Sequence, residues 1–175
     1  VTRARLLPCM GMLLPDILHR LVPELDQERM KPILEEVLSE ENAYVAAHGG
    51  VLYPEVEQTL AALSARCPLF LVSNCQDGYI EAFFQAHGLG RYFTDYENPG
   101  RTGLPKADNI ALVAERNGLR RPLYIGDTQG DYDAASKAGV PFLHAAYGFG
   151  RIDRPVPSVA TFGDLPDAIR RLTPP

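Results

Sequence analysis

The chain has 175 residues, 46% of them hydrophobic and 22% charged, with a net charge of −5 and an isoelectric point of about 5.4. That is enough for one core, or one core with a small appendage. There is no basic stripe of the kind nucleic-acid binders carry and no apolar run long enough for a membrane span, so neither nucleic acid nor membrane is expected as a partner. Cys9, Cys67 and Cys75 form neither an even framework nor a Cys-x-x-Cys site and read as reduced thiols of a cytoplasmic protein.

Residues 1–48 carry helical pattern only. Pro15 suits the first turn of a helix over Leu14–Leu21. A second helix follows Asp26, a natural N-cap, with Met30, Ile33, Leu34, Val37, Leu38, Tyr44 and Val45 at helical spacing. Pro32 is expected to kink or delay it, and Gly49-Gly50 to end it. Leu6–Leu14, with Gly11, reads as a loop facing the core.

From residue 50 strands and helices alternate. Helices are expected over 54–66, 77–87, 106–117 and 131–138, with Gly88, Gly118 and Gly139 as stops. Strands are expected over Leu69–Ser73, buried, then Phe93–Glu97, Leu123–Ile125 and Pro141–Ala145, with a last short one at Ala160–Phe162. A closing helix over Asp164–Leu172 takes Asp164 as its N-cap, and 151–158 is a surface loop. This alternation predicts βαβ units and a parallel sheet.

Polar residues gather at the strand ends, the edge where open α/β sheets bind ligands. The first core strand ends in Ser73-Asn74. The third ends in Gly126-Asp127-Thr128-Gln129-Gly130-Asp131, where two carboxylates close enough to repel each other are most simply reconciled by a bound cation. Lys106 opens the intervening helix. A hydroxyl with an amide, a lysine and an acidic pair are the parts of a phosphoryl site with a divalent metal.

Each residue has a plainer reading. Asp127 can cap the following helix, and Asp131 can complement the helix dipole. Ser73 and Asn74 suit a turn, although Asp77 is the better cap for the next helix and leaves Asn74 without a structural task. Lys106 can be solvated, but the dipole opposes a lysine at a helix start. Tyr147-Gly-Phe-Gly-Arg151 lies near the ligand edge and reads as a glycine-rich turn. Together, in this order, the five residues favour the functional reading.

The chain resembles the haloacid dehalogenase-like hydrolase superfamily, in its phosphoglycolate-phosphatase-like branch. Ser73-Asn74 is similar to that family's second motif, Lys106 to its third and Gly126–Asp131 to its fourth. The resemblance implies an α/β fold, a Rossmann-like parallel sheet core over 50–175 with a helical cap over 1–49. It implies Ser73, Asn74 and Lys106 as phosphate-binding residues, Lys106 as catalytic, and Asp127 and Asp131 as ligands of Mg²⁺. The activity it implies is magnesium-dependent hydrolysis of a small phosphorylated metabolite through an aspartyl-phosphate.

The family's nucleophile lies in an Asp-x-Asp motif on its first, central strand, and no strand of this chain carries one. That strand is therefore expected to be absent and the cap incomplete. Removal of a central strand exposes two sheet edges, so the natural product is expected to start earlier than Val1 and the chain alone to be inactive. A non-catalytic phosphate- and metal-binding relative and a phosphomutase are the alternatives. A phosphoacceptor receiver ranks low because receivers lack a helical insert. A dinucleotide site ranks lower, because Gly88-Leu-Gly90 and Gly148-Phe-Gly150 lack the third glycine. Nothing in the residues names the substrate or sets an oligomeric state.

Overall fold

Two textures follow one another along the chain, as its patterning predicts. The structure, a computed structural model, describes residues 2–172. Val1 and residues 173–175, the ends of the expected cap and core, lie outside them.

The first part comprises α1 (Arg3–Leu6), a 3-10 turn at Leu7–Cys9, α2 (Leu14–Leu21) and α3 (Gln27–His48). Asp26 caps α3 by accepting the Arg29 amide at 2.8 Å. Contrary to expectation α3 is not delayed by Pro32; it starts at Gln27 and runs through the proline. So close to the helix start, the ring forfeits a single ladder bond beside a turn whose donors lack helical partners anyway. Gly49, at a φ of 63°, ends the helix with its amide on the Val45 carbonyl.

The second part runs α4 (Val56–Ser64), β1 (Leu69–Val72), α5 (Tyr79–His87), β2 (Phe93–Glu97), α6 (Pro99–Thr102), α7 (Lys106–Arg116), β3 (Tyr124–Gly126), α8 (Gln129–Lys137), β4 (Phe142–Ala145), β5 (Ser158–Val159) and α9 (Leu165–Leu172). Every strand pair is parallel: β1 with β2, β3 with β4, and β4 with β5. The fold is α/β, with helices covering parallel strands.

Among the boundaries that differ from expectation, two have a clear cause in local side-chain and backbone bonding. The last strand is Ser158–Val159, ahead of Ala160–Phe162. Thr161 ends it by starting a capped 3-10 turn, in which Asp164 accepts the Thr161 amide at 3.0 Å and hydroxyl at 2.7 Å. Asp164, the residue before α9, is thus the far member of a capping box whose near member is Thr161. Asp77 does not cap α5. Gly78, at a φ of 83°, takes that position, and the Asp77 carbonyl instead accepts the Asn42 side-chain amide from α3 at 2.9 Å.

The strands form two sheets, β1-β2 and β3-β4-β5. Among the described residues β1 and β3 do not pair. A largely apolar cavity of about 590 Å³ separates them, walled by Leu69–Val72 on one side and Leu123–Ile125 on the other, with Leu63, Ile110 and Val113 among its lining. The Tyr124 hydroxyl bridges the gap, donating to the Val72 carbonyl at 3.0 Å. β1, expected to be buried, is half-buried along its whole length because it flanks this cavity. A core cluster lies around β4 and α9, where Leu63, Leu143, Val159, Leu165 and Ala168 pack together. A fully buried side chain such as Leu143 contributes roughly 1.5–3 kcal/mol.

Candidate active site

The C-terminal ends of β1 and β3 open onto a second cavity, of about 450 Å³. Ser73 and Asn74 enter it from the end of β1, Asp127 from the end of β3, Lys106 from the first turn of α7 and Asp131 from the first turn of α8. All five residues picked out in the sequence therefore line one space. Its opposite wall comes from α2, α3 and the loop around Gly11.

Lys106 and Asp131 form its electrostatic centre. The lysine Nζ donates to Asp131 Oδ1 at 2.6 Å, and the two side chains are 11% and 7% exposed. The other oxygen, Oδ2, accepts from the Thr128 amide at 3.0 Å, the Thr128 hydroxyl at 2.8 Å and the Asp127 amide at 3.2 Å. Thr128 Oγ1 in turn accepts the Asp131 amide at 3.2 Å. This reciprocal capping box starts α8. Burial acts to raise the Asp131 carboxyl, but the charge and hydrogen bond of Lys106, with the bonds from Thr128, outweigh it and hold the carboxyl below its ordinary range.

The two acids are consequently unequal. The residue capping α8 is Thr128, so Asp127 is released from the role its position suggested. Its Oδ2 accepts the Phe149 amide at 2.7 Å, and among the described residues its Oδ1 has no hydrogen-bond partner. The repulsion expected between the acids is offset by Lys106, which neutralises Asp131 within hydrogen-bond distance.

Asn74 has a task that the sequence did not disclose. Its Nδ2 donates to the Gly11 carbonyl at 2.8 Å, tying the loop between Cys9 and Leu14 over the strand ends. Gly11 sits at a φ of +83°, and a Cβ there would lie 3.3 Å from the Thr128 methyl. Ser73 Oγ accepts the Cys75 amide at 3.3 Å. Burial pushes the Cys75 thiol up, which disfavours its thiolate form.

The segment after β4, read as a turn, takes part in the site. A methyl group at Gly148 would overlap the Asp127 side chain, so only glycine lets the Phe149 amide reach the carboxylate. The signal was present in two glycines, 148 and 150, directly after a strand that ends at the ligand edge. Tyr124 was also missed. Burial first, then the charge of Asp131, pushes its hydroxyl up, leaving it a neutral donor at the junction of the two cavities.

Among the described residues no three His, Cys, Asp or Glu side chains are grouped to hold a metal ion. Magnesium needs fewer: one or two carboxylates suffice, with water and phosphate oxygens completing the set. Asp127, which lines the cavity with one oxygen held by the Phe149 amide, fits that requirement. No described helix is long and apolar enough to cross a membrane.

A family profile described as haloacid dehalogenase-like hydrolase matches residues 1–145. The chain is 32% identical over 135 residues to phosphoglycolate phosphatases of Shigella boydii serotype 4 and Escherichia coli K12; the match covers 72% of this chain and 52% of each relative. It thus spans about half the length of these relatives. A predicted phosphatase from Clostridium acetobutylicum has the same fold, with a TM-score of 0.83 at 18% identity over 96% of this chain and 82% of that one. By sequence, fold and the order of its site residues along the strand ends, the chain belongs to the haloacid dehalogenase-like hydrolase superfamily, in its phosphoglycolate-phosphatase-like branch.

Proposed function

We propose that this chain forms the greater part of a metal-dependent phosphatase for a small phosphorylated metabolite, with residues 1–49 as its cap and 50–175 as its hydrolase core. One observation carries the reading: Ser73, Asn74, Lys106, Asp127 and Asp131 line a single cavity at the ends of two parallel strands. The Lys106 ammonium is fixed by Asp131 before substrate arrives, so little reorganisation is needed as negative charge builds on the transferring group. The Ser73 hydroxyl donates to a phosphoryl oxygen. Asn74 holds the loop around Gly11 over the site and keeps bulk water from it. Asp127 is the metal ligand, and Asp131, expected as a second ligand, acts through Lys106 and the start of α8. Magnesium, when bound, neutralises charge on the phosphoryl oxygens.

The attacking carboxylate arrives, in this reading, on a strand seated between β1 and β3. The apolar cavity between the two strands supports this, as does its junction with the polar one: Val72, Tyr124 and Ile125 line both. A strand parallel to its neighbours there ends at the phosphoryl site. Its carboxylate attacks phosphorus as the P–O bond to the leaving alcohol breaks and that oxygen gains a proton. Water then attacks the acyl phosphate, releasing inorganic phosphate and the original carboxylate.

Calorimetric titration with inorganic phosphate and Mg²⁺, run beside a phosphate-release assay on p-nitrophenyl phosphate, tests both parts. The 175-residue chain is expected to bind phosphate without turning over the ester, and Asp127→Ala to abolish binding. Phosphate release abolished by Asp127→Ala would refute the strand-borne nucleophile. Failure to bind phosphate at all would refute the site.

A further inference from the structure

The polar cavity has a second end, and its charges are unevenly placed. Lys106 is the sole cation lining it among the described residues, and Asp131 already neutralises it. Away from the strand ends the wall combines Met12, Leu14 and Ile17 with the polar groups of Gln76, Tyr79 and Glu41.

Glu41 lies on α3 next to Asn42, whose amide donates to the Asp77 carbonyl at 2.9 Å. That bond pins this turn of α3 to the start of α5, where Tyr79 stands. Burial raises the Tyr79 hydroxyl, and the nearby Glu41 charge raises it further. Glu41 is an exposed residue, yet partial desolvation raises its carboxyl too. Among the described residues no lysine or arginine forms an ion pair with it. Glu41, Ser73 and Lys106 line the same cavity, so a substrate whose phosphate sits at Lys106 and Ser73 shares that space with this carboxylate.

We infer that Glu41 selects phosphomonoesters whose far end is a hydrogen-bond donor, an amine or a hydroxyl, and disfavours those ending in a carboxylate. This rests on the phosphatase reading above and deepens it. A second carboxylate at the far end meets Glu41 with no cation in the wall to compensate, and discrimination of this kind acts through the repelled ligand as much as through the preferred one. An ammonium there gains the opposite interaction, and a hydroxyl donates to the same oxygens.

Titration of the 175-residue chain with O-phosphoethanolamine, phosphoglycolate and inorganic phosphate, each with Mg²⁺, tests the inference. Phosphoethanolamine is expected to bind about five- to tenfold more tightly than phosphoglycolate, the scale of one favourable and one unfavourable partly exposed charge contact. Glu41→Gln, which keeps the shape, is expected to bring the two within about twofold while leaving inorganic phosphate unmoved. Equal affinities in the wild type, or a preference that survives Glu41→Gln, would overturn the role of Glu41 while leaving the phosphatase reading intact. No binding of phosphate or of either ester would overturn both.

Discussion

Replacement of Asp131 by alanine strands Lys106 in a cavity wall where it is 11% exposed and has lost its 2.6 Å partner. Removing one member of a buried ion pair costs about 3–5 kcal/mol, because the survivor is left uncompensated. The same substitution deletes the acceptor for Thr128 and for the Asp127 amide, and loss of such a cap adds about 1 kcal/mol. The sum, roughly 4–6 kcal/mol, approaches the whole stability of a marginal domain, about 5–15 kcal/mol. Lys106→Met is milder. It leaves Asp131 with the donors of Thr128 and the Asp127 amide, so its cost is about 1.5–3 kcal/mol, one charged hydrogen bond. The double variant is expected to be more stable than the sum of the single changes implies, because the stranded lysine is gone. Urea unfolding followed by circular dichroism measures all three through the midpoint at constant slope. Acid supplies a second reading. The Asp131 carboxyl is depressed in the folded chain, so its contribution is fully present above the unfolded carboxyl value of about 3.9 and is lost as pH falls through the lower folded one. The gap between wild type and Asp131→Ala should therefore narrow at acid pH. A cost for Asp131→Ala below that of Lys106→Met, or a gap that stays constant into strong acid, would refute the assignment of Asp131 as the hub.

Gly148→Ala places a methyl group into the Asp127 side chain. It is expected to destabilise by about 1–3 kcal/mol, the cost of overpacking, and to weaken magnesium-dependent phosphate binding, both read by unfolding and titration. Asn74→Ala removes the tie to the Gly11 carbonyl. Amide exchange over residues 10–13 should rise about fivefold, one hydrogen bond's worth of local stability, with the global midpoint nearly unchanged; unaltered exchange would show that the loop holds itself.

The strands and helices were legible wherever periodicity was strong. Lys106 opens α7 as expected, because helical spacing between proline and glycine stops leaves few alternatives; Phe93–Glu97, weakly marked in the sequence, also forms a strand at its expected bounds. Two of the helix starts differ from expectation for one physical reason. An aspartate beside a boundary is attractive as a cap, yet in α8 and in the turn before α9 a threonine with an aspartate three residues on forms the reciprocal box, which satisfies more donors. The pattern Thr-x-x-Asp stands in the sequence at Thr128 and again at Thr161. The gathering of Ser73, Asn74, Lys106, Asp127 and Asp131 was legible because all lie at strand ends or helix starts, which parallel topology brings to one edge. What periodicity does not encode is the partner of each side chain. The bonds from Phe149 to Asp127 and from Asn74 to Gly11, and the wall placed by Glu41, depend on where loops and the α2–α3 segment pack.

The gap between the sheets bears on how the site is completed. Paired strands lie about 4.8 Å apart. Across the gap the contact between β3 and β1 is made by a side chain, the Tyr124 hydroxyl donating to the Val72 carbonyl at 3.0 Å. Among the described residues β1 and β3 belong to separate sheets, and the proposed strand would lie between them. The cavity between them is largely apolar, which suits side chains and not a channel of water. The Val72 carbonyl already faces it, and the Tyr124 hydroxyl now stands where an amide of the proposed strand would donate. Seating that strand exchanges one tyrosine hydrogen bond for ladder bonds along two edges and removes the exposure of both. Because Val72 and Tyr124 also line the polar cavity, the step that closes the sheet would deliver the end of the strand beside Asp127 and Lys106. In this arrangement core formation and assembly of the site are one event, and a change that weakens either edge is expected to lower phosphoryl chemistry and stability together.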